Sequence, residues 1–218
     1  MHTSMRCRRI DLFSIAMIHL EIHPDNPQER FLDQVVGILK NRDGICVYPT
    51  DTVYGMGACA SNPKAINKIG RLLEKDKKRL FSYICCDFAQ IAKYARMSNQ
   101  HFKLMKRYLP GPFTFILEAT NYVPKKVAAK RRTVGIRMPD HQVVLQLVQK
   151  LDEALANTSI KLPGSRRGDP DEVRPAVLNE VDVMLDVGSL SDPFGSTIVD
   201  LTGEIPHIVR QGKGAWED

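Results

Sequence analysis

A single α/β domain with a mixed, twisted β-sheet is predicted by three features of this sequence of 218 residues. Amphipathic helix patterns and short apolar runs of strand length alternate along the chain, without the strict strand–helix–strand order of a fully parallel sheet. A chain of this length forms one full domain, or one domain with a small appendage, and no linker or internal repeat divides it. Hydrophobic residues make up 43% and charged residues 26%, which excludes a disordered or fibrous protein.

Capping signals and apolar periodicity predict six helices. The first has an N-cap residue at Asn26, a proline at the first helical position and Glu29 at the capping-box position. Asp43 and Gly44 are expected to end it. The other helices are predicted to begin at Asn62, to span 87–94, 98–108 and 141–151, and to begin at Asp169.

Short apolar runs predict the strands of the sheet. These runs lie at 45–48, 80–85, 113–119, 133–139, 153–160, 181–188, 196–202 and 207–212. The stretch PTDTVYGMG at 49–57 is rich in turn-forming residues and is predicted to be a loop.

Charge and cysteine content limit the class of protein. The net charge of +6 favours an anionic ligand or nucleic acid, although many small basic enzymes have a similar charge. Five cysteines without CxxC spacing argue against a disulfide framework or a zinc site and favour a reducing compartment. Cys85 and Cys86 lie in an apolar run, and we expect them to be packing residues, with a redox role of the adjacent pair as the alternative.

No segment approaches the roughly 20 apolar residues of a membrane helix. Arginines precede an apolar patch near the N-terminus, but Asp11 interrupts the patch and no cleavage site follows. We therefore expect a cytoplasmic protein without a membrane partner. Met17 is an alternative start, so residues 1–16 are predicted to be an N-terminal extension and residues 17–218 the folded domain.

Five polar clusters at the ends of predicted strands carry the functional signal, because GxGxxG, Walker, HExxH and GxSxG motifs are absent. Hydroxyls beside a glycine after a buried strand suit a small polar ligand, although a turn has the same composition. Arg137 in mid-strand needs an anion, which is either a ligand or a nearby carboxylate. The clusters are PTDTVYG at 49–55, GIRMPDH at 135–141, NTSIK at 157–161, GSTIVD at 195–200 and IVRQG at 208–212.

In this order and spacing, the clusters resemble the YrdC/YciO family, and its YciO branch in particular. The resemblance covers about nine-tenths of the chain and includes YPTDTVYGMG, PGPFTFIL, VGIRMPDH, NTSIKLPG, STIVDLT and IVRQGKG. It implies a twisted mixed sheet flanked by helices, with a concave basic face. It also implies the reaction of threonylcarbamoyl-AMP synthase, a nucleotidyltransferase that converts threonine, bicarbonate and ATP to threonylcarbamoyl-AMP and pyrophosphate for modification of tRNA adenosine 37.

The resemblance further implies which residues bind the substrates, without singling out a catalytic residue. Contacts to the substrates are expected from Thr50, Thr52, Tyr54, His141, Ser159 and Ser196. Contacts to the nucleotide are expected from Arg137, Lys161 and Arg210. ATP is expected as a substrate with Mg²⁺, with no tightly bound cofactor and no metal site in the protein.

Two motifs depart from the synthase pattern. The K-x-R-P motif of the family falls on LEKD at 73–76, and the literal K-x-R at 77–79 directly precedes a strand. The S-x-N motif reads Ser159-Ile160-Lys161. A lysine offers a point charge but not an amide that both donates and accepts. A related enzyme with another amino acid or acceptor is therefore an alternative to the synthase itself.

Basic runs favour a second hypothesis, a non-catalytic or weakly active protein of the YciO type that binds double-stranded RNA or tRNA. The resemblance includes RNA binding, whose affinity would fall steeply with salt; solvated loops are the alternative. Few aromatic residues accompany the runs, so base stacking is not expected. The basic residues are Lys75, Lys77, Lys78, Arg79, Lys125, Lys126, Lys130, Arg131 and Arg132, with a third patch at Arg166 and Arg167.

Overall fold

The strands of the protein form one mixed sheet. The structure is a computed structural model that describes residues 17–41, 43–72, 81–124, 132–160, 169–177, 179–190 and 194–217. Within these ranges the sheet has ten strands in the order β1-β8-β2-β3-β7-β4-β6-β5-β9-β10. The predicted α/β class is confirmed. The strands are β1 (Ile18–Glu21), β2 (Cys46–Tyr48), β3 (Gly55–Cys59), β4 (Ser82–Ile84), β5 (Phe113–Glu118), β6 (Thr133–Arg137), β7 (Leu155–Ser159), β8 (Val183–Asp186), β9 (Thr197–Asp200) and β10 (His207–Arg210).

All six predicted helices are present, and local caps fix several of their ends. Asp87 accepts from the backbone N–H of Gln90 at the start of α3, and Ser98 forms a capping box with His101 at the start of α4. In the described residues no helix is long and apolar enough to span a membrane. The helices are α1 (Glu29–Asn41), α2 (Pro63–Leu72), α3 (Phe88–Tyr94), α4 (Asn99–Met105), α5 (Gln142–Leu151) and α6 (Pro170–Val177).

The prediction of a loop at 49–57 is wrong from Gly55 onward, because Gly55–Cys59 is the buried strand β3. Glycine is rare in strands, so the glycines of β3 argue against a strand in the sequence. They are nevertheless needed for packing. A Cβ atom at Gly57 would lie 2.7 Å from the hydroxyl of Tyr48, and one at Gly55 would lie 2.9 Å from its ring. The glycines therefore make room for the Tyr48 ring to lie against β3.

Strand β1 was not predicted either. It pairs in parallel with β8, which in turn pairs in parallel with β2. The side chain of His19 on β1 is 2.7 Å from the Asp186 carboxylate at the end of β8. Met17, just before β1, is buried, whereas the predicted extension 1–16 lies outside the described residues.

The topology brings three strand ends together. Strand β5 runs antiparallel to β6, and β9 runs parallel to β5. The carboxyl end of β6 therefore lies beside the amino ends of β5 and β9. Arg137 ends β6 and Ser196 immediately precedes β9, so two of the predicted polar clusters meet at one end of the sheet.

Candidate functional site

A buried arginine organises the first polar cluster. Only 2% of Arg137 is exposed. Its Nη2 atom donates to the hydroxyls of Thr50 at 3.3 Å and Thr52 at 2.6 Å, and it forms an ion pair with Asp51. The Asp51 carboxylate also accepts from the backbone N–H of Asp140 at 3.2 Å. Asp51 is thus the nearby carboxylate that the sequence left open as one partner for Arg137.

The loop between β2 and β3 presents its hydroxyls to this arginine because it closes on itself. The Thr50 hydroxyl donates to the carbonyl of Val53 at 2.6 Å and accepts from the backbone N–H of Thr52 at 3.2 Å. The sequence left open whether segment 49–55 is a turn or a cluster of polar side chains. In the structure it is a turn whose hydroxyls form the cluster. The Nε atom of Arg137 is buried and has no hydrogen-bond partner within the described part of the chain, so the cluster retains an unmet donor.

A second cluster surrounds Ser196. Its hydroxyl lies 2.7 Å from that of Thr114 on β5, and both side chains are buried. Arg210, at the end of β10, donates through Nη2 to the Ser196 carbonyl at 2.6 Å. A Cβ atom at Gly195 would lie 3.1 Å from this guanidinium nitrogen, so the glycine leaves room for Arg210. The contact between Ser196 and Arg210 joins two of the predicted clusters.

Lys213 links the two clusters. Its Nζ atom donates to the backbone carbonyl of Asp51 at 2.8 Å, and its backbone N–H donates to the carbonyl of Gly195 at 2.9 Å. Three cationic side chains of the described residues, Arg137, Arg210 and Lys213, therefore belong to one region. The sequence reasoning missed Lys213, although it lies in the motif IVRQGKG.

His141 borders the first cluster as the N-cap of α5. Its Nδ1 atom accepts from the backbone N–H of Val143 at 3.3 Å, which requires an unprotonated Nδ1. Burial lowers the pKa of His141 below its usual 6.5, although the carboxylates of Asp51, Asp25 and Asp140 oppose the shift. The ring is therefore neutral near pH 7.

Tyr54 takes a different position from the threonines that precede it. Its hydroxyl donates to the carbonyl of Gly188 at 2.8 Å and accepts from the backbone N–H of Val187 at 3.1 Å. Burial raises the pKa of Tyr54 well above its usual range. These hydrogen bonds join the Tyr54 hydroxyl to the chain after β8 rather than to the Arg137 cluster.

Ser159, the last residue of β7, is half-buried and pairs with Gly55 of β3. Two residues earlier, Asn157 accepts from the Tyr48 hydroxyl at 2.7 Å and donates to Ser82 at 3.1 Å. These hydrogen bonds between Tyr48, Asn157 and Ser82 were not predicted, because the three residues come from three separate strands.

Most of the other predicted cations lie outside the described residues. Arg132 is described, and its Nη2 atom donates to the carbonyl of Thr120 at 3.2 Å. The predicted site residues outside the described ranges are Lys161, Lys75, Lys77, Lys78, Arg79, Lys125, Lys126, Lys130 and Arg131, together with the third patch at Arg166 and Arg167.

A cavity of about 340 Å³ lies elsewhere, at the start of α2. Ser61 donates to the carboxylate of Glu153 at 3.0 Å, and Asn62 donates to Asp43 at 2.8 Å. Since these lining groups pair with one another, the cationic region near Arg137 is the better candidate for binding an anionic ligand.

Comparison with known proteins identifies the family. The model of the Sua5/YciO/YrdC family, described as telomere recombination, matches residues 39–212. The chain belongs to this family. Within the Sua5/YciO/YrdC family, the uncharacterized protein YciO of Escherichia coli is 36% identical over 196 residues, which are 88% of this chain and 94% of YciO. The crystal structure of E. coli YciO has a TM-score of 0.85 and covers 91% of this chain and 97% of its own.

Other members of the Sua5/YciO/YrdC family are named as enzymes. The threonylcarbamoyl-AMP synthase of Bacillus subtilis is 29% identical over 195 residues, which are 88% of this chain and 55% of that protein. The structure of Pyrococcus abyssi Sua5 complexed with L-threonine has a TM-score of 0.82 at 24% identity, with 90% of this chain and 58% of Sua5 covered. The chain thus spans somewhat more than half of these longer relatives, and the likeness to the Sua5 complex shows the shared fold.

Proposed function

We propose that this protein is a nucleotidyltransferase of the threonylcarbamoyl-AMP synthase type that serves the modification of tRNA adenosine 37. The observation that carries the proposal is the meeting of the buried Arg137 cluster and the Ser196–Arg210 cluster through Lys213. Hydroxyls and cations in one region suit a ligand set that contains both a carboxylate and phosphates. Relatives named threonylcarbamoyl-AMP synthase support the choice of reaction.

The reaction has two bond-forming steps. The threonine amine attacks the carbon of bicarbonate to form the C–N bond of a carbamate. The nitrogen loses a proton and the carbon loses hydroxide, and the two leave together as water. A carbamate oxygen then attacks the α-phosphorus of ATP, and pyrophosphate leaves with the electron pair of the broken P–O bond. Such a reaction needs positioning of both substrates and cations near the phosphates. We assign the phosphates to Arg210, and threonine to Thr50, Thr52 and Ser196. The resemblance implies that Arg137 contacts the nucleotide; since Arg137 donates to the hydroxyls of Thr50 and Thr52, we assign it to threonine instead.

Magnesium enters this proposal as the ion that accompanies ATP. Across the described residues there is no group of three or more His, Cys, Asp or Glu side chains that could hold a metal ion. We propose MgATP as the substrate, whose metal neutralises part of the phosphate charge.

The test is a reconstitution with the full chain. Purified protein supplied with L-threonine, bicarbonate and MgATP should release pyrophosphate, and mass spectrometry should detect threonylcarbamoyl-AMP. Omission of any one substrate should abolish both signals. A panel of amino acids distinguishes the related enzyme with another substrate, and release of pyrophosphate that needs no amino acid would refute the proposal.

RNA binding is a second candidate function, favoured by a local concentration of basic residues. Arg132 donates to the carbonyl of Thr120, whose hydroxyl donates to the carbonyl of Lys93 at 2.5 Å. In the sequence, Arg132 directly follows the segment 125–131, which carries four more cations and lies outside the described residues. Phosphate contacts of this kind give an affinity that decreases with salt.

Fluorescence anisotropy with tRNA and with an RNA duplex at several salt concentrations tests this function. Charge reversal at Lys125, Lys126 and Arg131 should weaken binding, and Lys64→Glu on α2 serves as the control for a single exposed lysine. Binding that is absent, or that does not respond to salt, would exclude RNA as a partner.

A further inference from the structure

We infer that Thr114 is a positioning residue of the candidate site, whose hydroxyl turns the O–H of Ser196 toward an acceptor oxygen of the bound amino acid. The inference rests on the proposed function and deepens it. The two hydroxyl oxygens lie 2.7 Å apart, and both residues are buried. The sequence reasoning did not select Thr114, although it lies in the motif PGPFTFIL.

The backbone holds the two residues side by side. Strand β9 pairs in parallel with β5, in a register that sets Phe113 opposite Thr197. The backbone N–H of Thr197 donates to the carbonyl of Pro112 at 2.9 Å, just before β5 begins. Ser196 is therefore fixed beside the first residues of β5, and Thr114 is the second of these.

Packing fixes the direction of the Thr114 side chain. Its methyl carbon Cγ2 lies toward Gly135 on the neighbouring strand β6, where an added Cβ atom would be 3.3 Å from it. A β-branched side chain has few χ1 rotamers, so a methyl group held on this side keeps the hydroxyl on the side of Ser196. Across the described residues, the Thr114 hydroxyl makes no other hydrogen bond.

The number of donors indicates the direction of the hydrogen bond between the two hydroxyls. They carry two protons, and only one of these is used between them, so one O–H is left for another acceptor. If Ser196 donated, the O–H left over would be that of Thr114, inside the sheet. If Thr114 donates, the O–H left over is that of Ser196, beside the cationic Arg210, where an anionic oxygen is favoured.

The second direction also satisfies the oxygen of Ser196. Arg210, which can only donate, lies with Nη2 3.4 Å from the Ser196 hydroxyl. With Thr114 as the second donor, both lone pairs of this oxygen are occupied. Ser196 then has no lone pair left for an ammonium group, and its partner on the ligand is an acceptor oxygen.

Isothermal titration calorimetry of the full chain, with L-threonine and inorganic pyrophosphate as separate probes, tests the inference. Thr114→Val keeps the shape of the side chain and removes its hydroxyl. It should weaken threonine binding about threefold to tenfold, the loss expected for one neutral hydrogen bond. Pyrophosphate affinity should not change, because the carbonyl of Ser196 still holds Arg210. Thr114→Ser keeps the hydroxyl and should bind threonine within about twofold of wild type.

A double-variant cycle distinguishes positioning from a structural effect. If Thr114 acts through Ser196, Thr114→Val should change threonine affinity by less than about twofold in the Ser196→Ala background. A structural effect would be equally large in both backgrounds. Thermal unfolding checks that each variant is folded, and Thr114→Ala is a second variant without the hydroxyl. Thr120→Val, beyond the other end of β5, is the matched control.

The outcomes separate this inference from the proposed function. If Thr114→Val and Thr114→Ala bind threonine as wild type does, or if the loss is equally large in the Ser196→Ala background, the inference is wrong while the proposed function stands. If threonine binding depends on Thr114 but release of pyrophosphate needs no amino acid, the proposed function is wrong while the inference stands. If wild-type protein binds no L-threonine, the inference is overturned, and reconstitution with the panel of amino acids decides the proposed function.

Discussion

Replacement of Arg137 by methionine tests the buried ion pair at the centre of the candidate site. The substitution removes the guanidinium and leaves the Asp51 carboxylate, whose side chain is 9% exposed, without its ion partner. Breaking a buried pair from one side costs about 3–5 kcal/mol, mostly because a charge stays buried and uncompensated. Asp51 keeps the hydrogen bond from the backbone of Asp140, so we expect the lower value, about 3 kcal/mol.

A second variant separates the charge from the packing. Combining Arg137→Met with Asp51→Asn removes the uncompensated carboxylate, and we expect this double variant to regain at least half of the lost free energy of unfolding. At about 2–4 °C per kcal/mol for a chain of this size, the single variant should unfold about 6–12 °C below wild type. The double variant should unfold above the single one.

Thermal unfolding followed by circular dichroism measures the stability, and calorimetric titration with L-threonine measures the affinity of the site for threonine. Stability should recover in the double variant, whereas threonine binding should be lost in both variants because neither has the guanidinium. The reasoning is refuted if Arg137→Met unfolds within about 2 °C of wild type, or if the double variant is less stable than the single one.

Three further predictions concern individual residues. Because burial lowers the pKa of His141 below 6.5, the folded protein binds fewer protons than the unfolded chain at mildly acidic pH, and stability should fall as the pH falls. His141→Asn keeps an N-cap acceptor, so urea unfolding at about pH 7 and about pH 5 should show a smaller decrease than wild type; an equal decrease would contradict the assignment. Gly212→Ala puts a Cβ atom onto a backbone carbonyl and should cost about 1–3 kcal/mol of unfolding free energy, whereas Gly37→Ala, which meets nothing within 4 Å, should stabilise α1 by about 0.5–1 kcal/mol; denaturant curves that rank the two in reverse would refute this. Burial raises the pKa of the Cys59 thiol to about 12 and that of Cys85 further, so peptide-resolved mass spectrometry should find both far less alkylated by iodoacetamide in the native protein than in urea, and equal labelling would show that they are accessible.

The helices could be predicted because their ends depend on neighbouring residues. The Asn62 side chain accepts from the backbone N–H groups of Lys64 and Ala65 at the start of α2. After the C-terminal end of α1, Asp43 takes a positive φ of 52° just before Gly44. Each of these signals lies within four residues of the helix end it marks.

The missed features depend on residues far apart in the chain. Strand β3 is glycine-rich and is stabilised by pairing with β2 and β7. The partner of Arg137 is 86 residues away, so the sequence could indicate that an anion was needed but not that Asp51 supplies it. Lys213 reaches the site because residues 211–217 are held by the packing of Trp216 on Tyr108, and no local sequence pattern predicts that contact.

The position of β8 between β1 and β2 has a consequence for how the chain folds. His19 and Asp186, which meet where β1 pairs with β8, are 167 residues apart. Until β8 is in place, β1 has no neighbour in the sheet and β2 has an open edge. Pairings of such long range are slow to form because a large loop must close first. We therefore expect folding on the slow side for a protein of this size, and fragments that stop before Val183 should aggregate through the exposed edge of β2.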